Sequence, residues 1–210
     1  MSAARAIAWR HAYHAGVCSR VEPWAHGTVA RAPDVPAFYD YNLARVERGD
    51  PGLDAEALAA AAEPALAGLA HRRIEVEDEA AGARLRPGFE AMGWVTERLA
   101  LLHRELPGPD LAPPAGAELR VADFEASRPL RLVWLGESPW GDPSDFVLVE
   151  EAVAARRGTR TVIGSLAGEP AGFAAFSAAG DAGDAKRLYE RLGFRTVWRR
   201  HSFTRKPEER

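Results

Sequence analysis

A chain of 210 residues with 47% hydrophobic content is long enough for one large domain or two small ones, and apolar enough for a real core. Its formal net charge of −3 sets up no long-range field that would gather nucleic acid or an anionic membrane surface, and the single cysteine, Cys18, excludes an internal disulfide. No stretch is apolar for long enough to cross a bilayer, and Arg5, Arg10 and His11 break the run a signal peptide would need, so the expectation is a cytoplasmic protein.

The opening places Ile7, Trp9, Tyr13 and Val17 at near-helical spacing, which predicts a helix over residues 7–21 that Pro23 cannot continue. Strands follow at 28–31 and 42–47, separated by a loop that Pro33 and Pro36 hold extended. Asp54 is a helix N-cap ahead of an alanine-rich run, inside which Pro64 predicts a kink or a break. The segment RIEVE, Arg73 to Glu77, alternates apolar and charged residues as a strand does. A helix through Phe89 and Met92 and a strand over 95–102 complete this half.

The four prolines and missing apolar periodicity of PGPDLAPPAG mark a boundary. They divide the chain into residues 1–108, a linker at 109–116 and residues 117–210. The second half reads as a strand over 118–122, a helix over 128–137, a loop containing Trp140, and a helix over 146–156. A hairpin with strands at 160–166 and 172–177 turns around Gly168. The last stretch, Ala185 to Pro207, is a helix stopped at Gly193 that turns straight into a strand. Tyr189 is the residue on that helix able to exchange a proton with a leaving group. Phe89-Glu90-x-Met92-Gly93-Trp94-x-Thr96 lines up with Tyr189-Glu190-x-Leu192-Gly193-Phe194-x-Thr196, so the two halves read as related units.

LYERLGF, followed by a Trp/Arg-rich strand, resembles the last helix and strands of the GNAT acetyltransferase superfamily. HAYHAGVCSRVEPWAHGTVARAPDVPAFYDYN, LRLVW and GEPAGFAAF resemble one actinobacterial-like branch of it. The resemblance covers most of the chain. It implies an α/β fold of two tandem GNAT-like halves and an N-acetyltransferase that moves acetyl from acetyl-CoA to a primary amine of a small molecule or a protein. Tyr189 matches the family tyrosine that protonates the departing CoA thiolate. Trp140, in the loop that lines the acceptor pocket in such folds, becomes a candidate substrate contact.

One part is missing. The family cradles the acetyl-CoA pyrophosphate in a glycine-rich loop between a strand and the helix behind it, where backbone N–H groups and the helix N-terminus meet the phosphates. Here the hairpin strand at 172–177 runs through AAGDAGDAK directly into the last helix, so the second half lacks a strand–loop–helix–strand block. Either the chain is an internally shortened relative, or the gene as read has lost a segment. Arg48-Gly49-Asp50-Pro51-Gly52 occupies the right topological place in the first half, but Pro51 removes a donor and Asp50 and Asp54 repel phosphate. Arg156-Arg157-Gly158-Thr159-Arg160 is basic but leads into a strand. The alternative function is therefore a catalytically inactive relative that serves as a binding or dimerisation scaffold. The unpartnered hairpin edge at 172–177 predicts a homodimer or poor solubility.

The remaining candidates read more simply as structure. His11, His14 and Cys18 share roughly one helix face, but with no fourth ligand in view a packed arrangement outweighs a metal. Glu137 and Glu150 could serve as a base, yet a charged helix face explains both. Arg199, Arg200, Arg205 and Lys206 form a basic cluster in the last strand, where charge on a sheet edge is the commoner reason.

Overall fold

The computed structural model describes residues 2–36, 38–103, 112–137, 142–176 and 194–207. They form two compact units: residues 1–103 with 195–210, and residues 104–194.

In the first unit, helix α1 (Ala3–Val17) opens on Ser2, whose side chain accepts from the Arg5 N–H, and stops at Cys18 in an extended conformation. It begins and ends four residues earlier than the spacing predicts. The freed residues enter β1 (Arg20–Trp24), a strand masked in the sequence by Pro23; a proline is tolerated there because β1 is an edge. Then come β2 (Gly27–Arg31), a 3-10 turn at Tyr39–Tyr41, β3 (Leu43–Val46), α2 (Ala55–Ala65), β4 (Arg72–Val76), α3 (Glu79–Ala91) and β5 (Val95–His103). Pro64 does not split α2: it falls in the last turn, where its missing N–H removes a single helical hydrogen bond just before the helix ends at Ala65.

The last strand, β9 (Arg195–Arg205), departs from the expected division of the chain. Instead of finishing the half at 117–210, it lies between β4 and β5 and pairs antiparallel with both, giving the order β1-β2-β3-β4-β9-β5. β3 and β4 are parallel neighbours. One face of this sheet is dry: Ala44, Val46, Ile74, Val76 and Phe203 pack with Leu58 and Leu66 of the α2 region and with Leu85 and Phe89 of α3. The opposite face carries Arg45, Arg73, Glu75, Arg200 and Ser202, and is buried with Arg10 and His14 of α1.

The packing of α3 on β9 rests on Gly82. A Cβ there would lie 2.6 Å from the His201 ring, too close for either backbone to ignore. Gly82→Ala is expected to lose about 1–3 kcal/mol of stability to overpacking. Gly16→Ala on α1, where a Cβ meets nothing within 4 Å, should instead gain roughly 0.5–1 kcal/mol from helix propensity. Urea midpoints of the two variants should move in opposite directions.

The second unit contains β6 (Ala117–Ala122), α4 (Phe124–Gly136), α5 (Pro143–Arg157), β7 (Arg160–Leu166) and β8 (Glu169–Phe176). Asp123 and Asp142 cap the two helices. The strands form an antiparallel sheet ordered β6-β7-β8. Thr161 and Ile163 are buried, and Phe173 pairs with Ile163 and meets Trp134 edge-on. Arg131 of α4 is sandwiched between the Phe124 and Phe173 rings and donates to Glu150 at 2.7 Å. Tyr189, Trp140 and residues 109–111 of the expected linker at 109–116 lie outside the described residues.

Candidate functional site

The parallel pair β3–β4 is the place to look, because ligands in open α/β sheets bind beyond the carboxyl ends of such strands. The turn from β3 into α2 holds the Arg48–Gly52 segment. Two of its amides are already committed. The Glu47 and Arg48 N–H groups donate to the His26 carbonyl at 2.9 and 3.3 Å, and the Gly52 N–H donates to Asp50 Oδ1 at 2.9 Å. The N-terminus of α2 is closed by Asp54, whose Oδ1 accepts from the Ala57 N–H at 2.8 Å. Arg84 of α3 fastens the turn from outside, donating to the Leu53 and Asp50 carbonyls at 2.7 and 2.9 Å. Carboxylates thus hold the Gly52 and Ala57 amides that a pyrophosphate would need, and Pro51 offers no N–H. A CoA pyrophosphate does not fit this turn.

Beside it, a cavity of about 380 Å³ opens at the ends of β3 and β4, walled by Ile7, Trp198, Glu47, Glu77, Asp78, Glu79 and Arg199. Its carboxylates are anchored: Glu77 to His11 at 2.5 Å, Glu47 to the Thr28 hydroxyl at 2.6 Å, Asp78 as the cap of α3, and Glu79 to Arg98. Four carboxylates against the single Arg199 guanidinium leave this lining net acidic, which disfavours polyphosphate and suits an ammonium group. A second cavity, of about 320 Å³, lies between the β1–β2 hairpin and the end of α2. There Arg31 donates to the Ala65 and Ala67 carbonyls at 2.5 and 3.0 Å, bracing the helix end.

Behind the acidic cavity the polar face of the sheet is locked by charge. Glu75, fully buried on β4, accepts from Arg10 at 3.0 Å and lies 3.3 Å from Arg200 of β9. Burial pushes its carboxyl up, but the Arg10, Arg200 and Arg73 guanidinia outweigh that and hold it well below the usual carboxylate range. Arg45 donates to His14 Nδ1, so the His14 proton sits on Nε2, which has no partner among the described residues. Burial, reinforced by Arg10 and Arg45, holds His14 neutral, well below the ordinary imidazole range. Arg73 bridges Asp40 at 2.9 Å and the Thr204 hydroxyl at 2.9 Å.

The residues singled out in the sequence scatter. His11 goes to Glu77, His14 to Arg45, and the Cys18 Sγ points at the Tyr41 carbonyl 3.5 Å away, so the three do not converge. Glu137 is an exposed helix cap. Glu150 is tied to Arg131, and burial raises its pKa against that guanidinium. Gly158 closes α5 in a left-handed conformation at φ 59° and leads into β7, so no helix N-terminus opens there. The basic cluster of the last strand divides: Arg200 is buried on Glu75, while Arg205 is exposed on Glu63 at 2.5 Å. The Arg10–Glu75–Arg200 network is the functional-looking feature the sequence hid; the signal lay in Ala6, Arg10, His14 and Val17 sharing one helix face.

No protein-family model matches the chain, and no curated protein sequence does. Among solved structures, a functionally unknown conserved protein from Staphylococcus epidermidis superimposes with a TM-score of 0.64 at 11% identity, over 90% of this chain and 94% of that one. A GCN5-related N-acetyltransferase from Kribbella flavida superimposes with a TM-score of 0.62 at 17% identity, over 100% of this chain and 97% of that one. At such identities the likeness is one of fold: the chain is mixed α/β with a GNAT-like architecture.

Proposed function

We propose that this chain is a catalytically silent relative of the GNAT acetyltransferases that keeps the architecture as a scaffold for a partner, a second copy of itself included. One observation supports this reading above the others. The turn between β3 and α2 commits the Gly52 and Ala57 amides to Asp50 and Asp54 and the Arg48 amide to the His26 carbonyl. The test is a thermal melt of the full chain in millimolar acetyl-CoA. A ligand present at a thousandfold excess over its Kd would add about 4 kcal/mol of stability. The scaffold reading expects no shift, and a saturable rise in Tm would overturn it.

A second reading is acetyl transfer from acetyl-CoA to a primary amine of a small molecule or protein. Its support is the likeness, along the whole chain, to a protein described as a GCN5-related N-acetyltransferase, together with the acidic cavity beside Glu77. In this reading Tyr189 supplies the proton and Trp140 contacts the acceptor. Tyr189→Phe should then cut kcat by roughly 10²–10⁴ while acetyl-CoA binding is unchanged. Trp140→Ala should raise the KM for the amine alone. Turnover indifferent to the first change would remove Tyr189 from the role.

A further inference from the structure

A sheet edge offers free N–H and C=O groups to any passing strand, and folded proteins blunt their edges with proline, bulges or charge. Among the described residues four edges can be compared. β1 contains Pro23. β5 is joined to β9 through a bulge between Leu101 and Leu102. β8, the edge expected from the sequence to associate, contains Pro170, and its register with β7 slips at Gly164/Ser165. β6 has neither proline nor bulge: all six of its residues pair with β7 in unbroken register, and its two charges, Glu118 and Arg120, are of opposite sign.

The side chains of β6 add to this. Leu119 is 78% exposed and Val121 56% exposed on one face. Glu118 and Arg120 are exposed on the other, with no ion-pair partner among the described residues. We propose that β6 is the seam of a homodimer, in which the same strand of a second copy adds to it antiparallel about a two-fold axis through Leu119.

The register follows from the sequence of the strand. A two-fold axis makes the contact isologous, so opposed residue numbers have a constant sum. An odd sum would set Glu118 on the same face as the partner's Val121 and break the apolar face, because a one-residue slip inverts every side chain. Centring on Glu118 or Arg120 would oppose like charges. Centring on Leu119 opposes Glu118 to the partner's Arg120 and Arg120 to the partner's Glu118, and keeps Leu119 and Val121 on one continuous apolar face. Charge complementarity therefore selects one arrangement, and the occupant is a second copy of this chain. The proposal deepens the scaffold reading but is tested apart from it, since cofactor binding is not its readout.

Sedimentation equilibrium of the full chain should show a concentration-dependent monomer–dimer exchange. Glu118→Arg and Arg120→Glu each make both symmetric pairs like-charged and should weaken the dimer by about tenfold or more. The double variant Glu118→Arg/Arg120→Glu recreates opposite pairs in reversed order and should restore the dimer to within about threefold of the original. Both charged positions are exposed in the single chain, so melting temperatures taken at concentrations where the chain is monomeric should be alike. A monomer at every concentration, a dimer indifferent to the single changes, or a double variant as weak as the singles would each overturn the proposal.

Discussion

Glu75→Gln should lower the free energy of unfolding by about 3–5 kcal/mol, the range seen when one member of a buried ion group is removed. Glu75 is 1% exposed, with Arg10 at 3.0 Å and Arg200 at 3.3 Å. Neutralising it leaves guanidinia from α1 and β9 facing each other with little exposure to solvent, and their repulsion, more than the lost attraction, makes the loss large. Replacing the whole trio tells the two apart. Arg10→Met/Glu75→Leu/Arg200→Met removes every charge while keeping the volume, and should recover most of what the single change loses. Urea midpoints near pH 7.5 would decide. A loss under about 1 kcal/mol for Glu75→Gln would mean that the network is solvated and behaves like a surface pair.

The same network shows why part of this molecule was legible in the sequence and part was not. Asp54 announced α2, and the run through Phe89 and Met92 announced α3, because caps and apolar stripes are local signals. RIEVE was legible as a strand but misleading about its surroundings. Alternation suggests one wet face, yet Arg73, Ile74, Glu75 and Val76 are all buried, since α1 covers one side of β4 and α2 and α3 the other. No local signal says that a glutamate will be matched by an arginine 65 residues earlier and another 125 residues later in the chain. The destination of β9 was equally hidden. A strand that follows a helix and a glycine stop looks like the end of its own half, whereas its pairing with β4 and β5 is set by long-range register, Ile74 against Phe203 and Thr96 against Phe203. The defect in the Arg48–Gly52 turn was visible from Pro51 and the flanking aspartates. The structure adds which amides those carboxylates occupy.

Acid should weaken the fold well before its carboxylates titrate, and the cause is buried imidazole. His71 is 1% exposed, donates through Nε2 to the Asn42 carbonyl at 2.9 Å and stacks on Tyr39 with ring centroids 3.9 Å apart. Burial pushes its pKa down to about 4, despite the carbonyl bond, which acts the other way. Burial likewise lowers His14 and His201, helped by Arg10 and by Arg98 respectively. A histidine whose folded pKa lies below its unfolded one is neutral in both states at pH 7.5, so its stabilising share is complete there. Below about pH 6.5 the unfolded chain takes up a proton that the folded chain refuses, and stability falls with pH until the folded pKa is reached. For His71 that window runs from about 6.5 to about 4, and the loss across it is about 3 kcal/mol at 1.36 kcal/mol per pKa unit. Glu75, whose pKa is depressed, works in a lower window, because its share persists until pH falls below the unfolded carboxylate value. Urea melts between pH 7.5 and 4.5 should therefore show a steep decline owed to imidazole. His71→Gln keeps a donor for the Asn42 carbonyl and cannot titrate, so it should lower stability at pH 7.5 while flattening the decline by close to one proton. A slope unchanged in that variant would place the acid sensitivity elsewhere, with His14 and its contact to Arg45 the next group to replace.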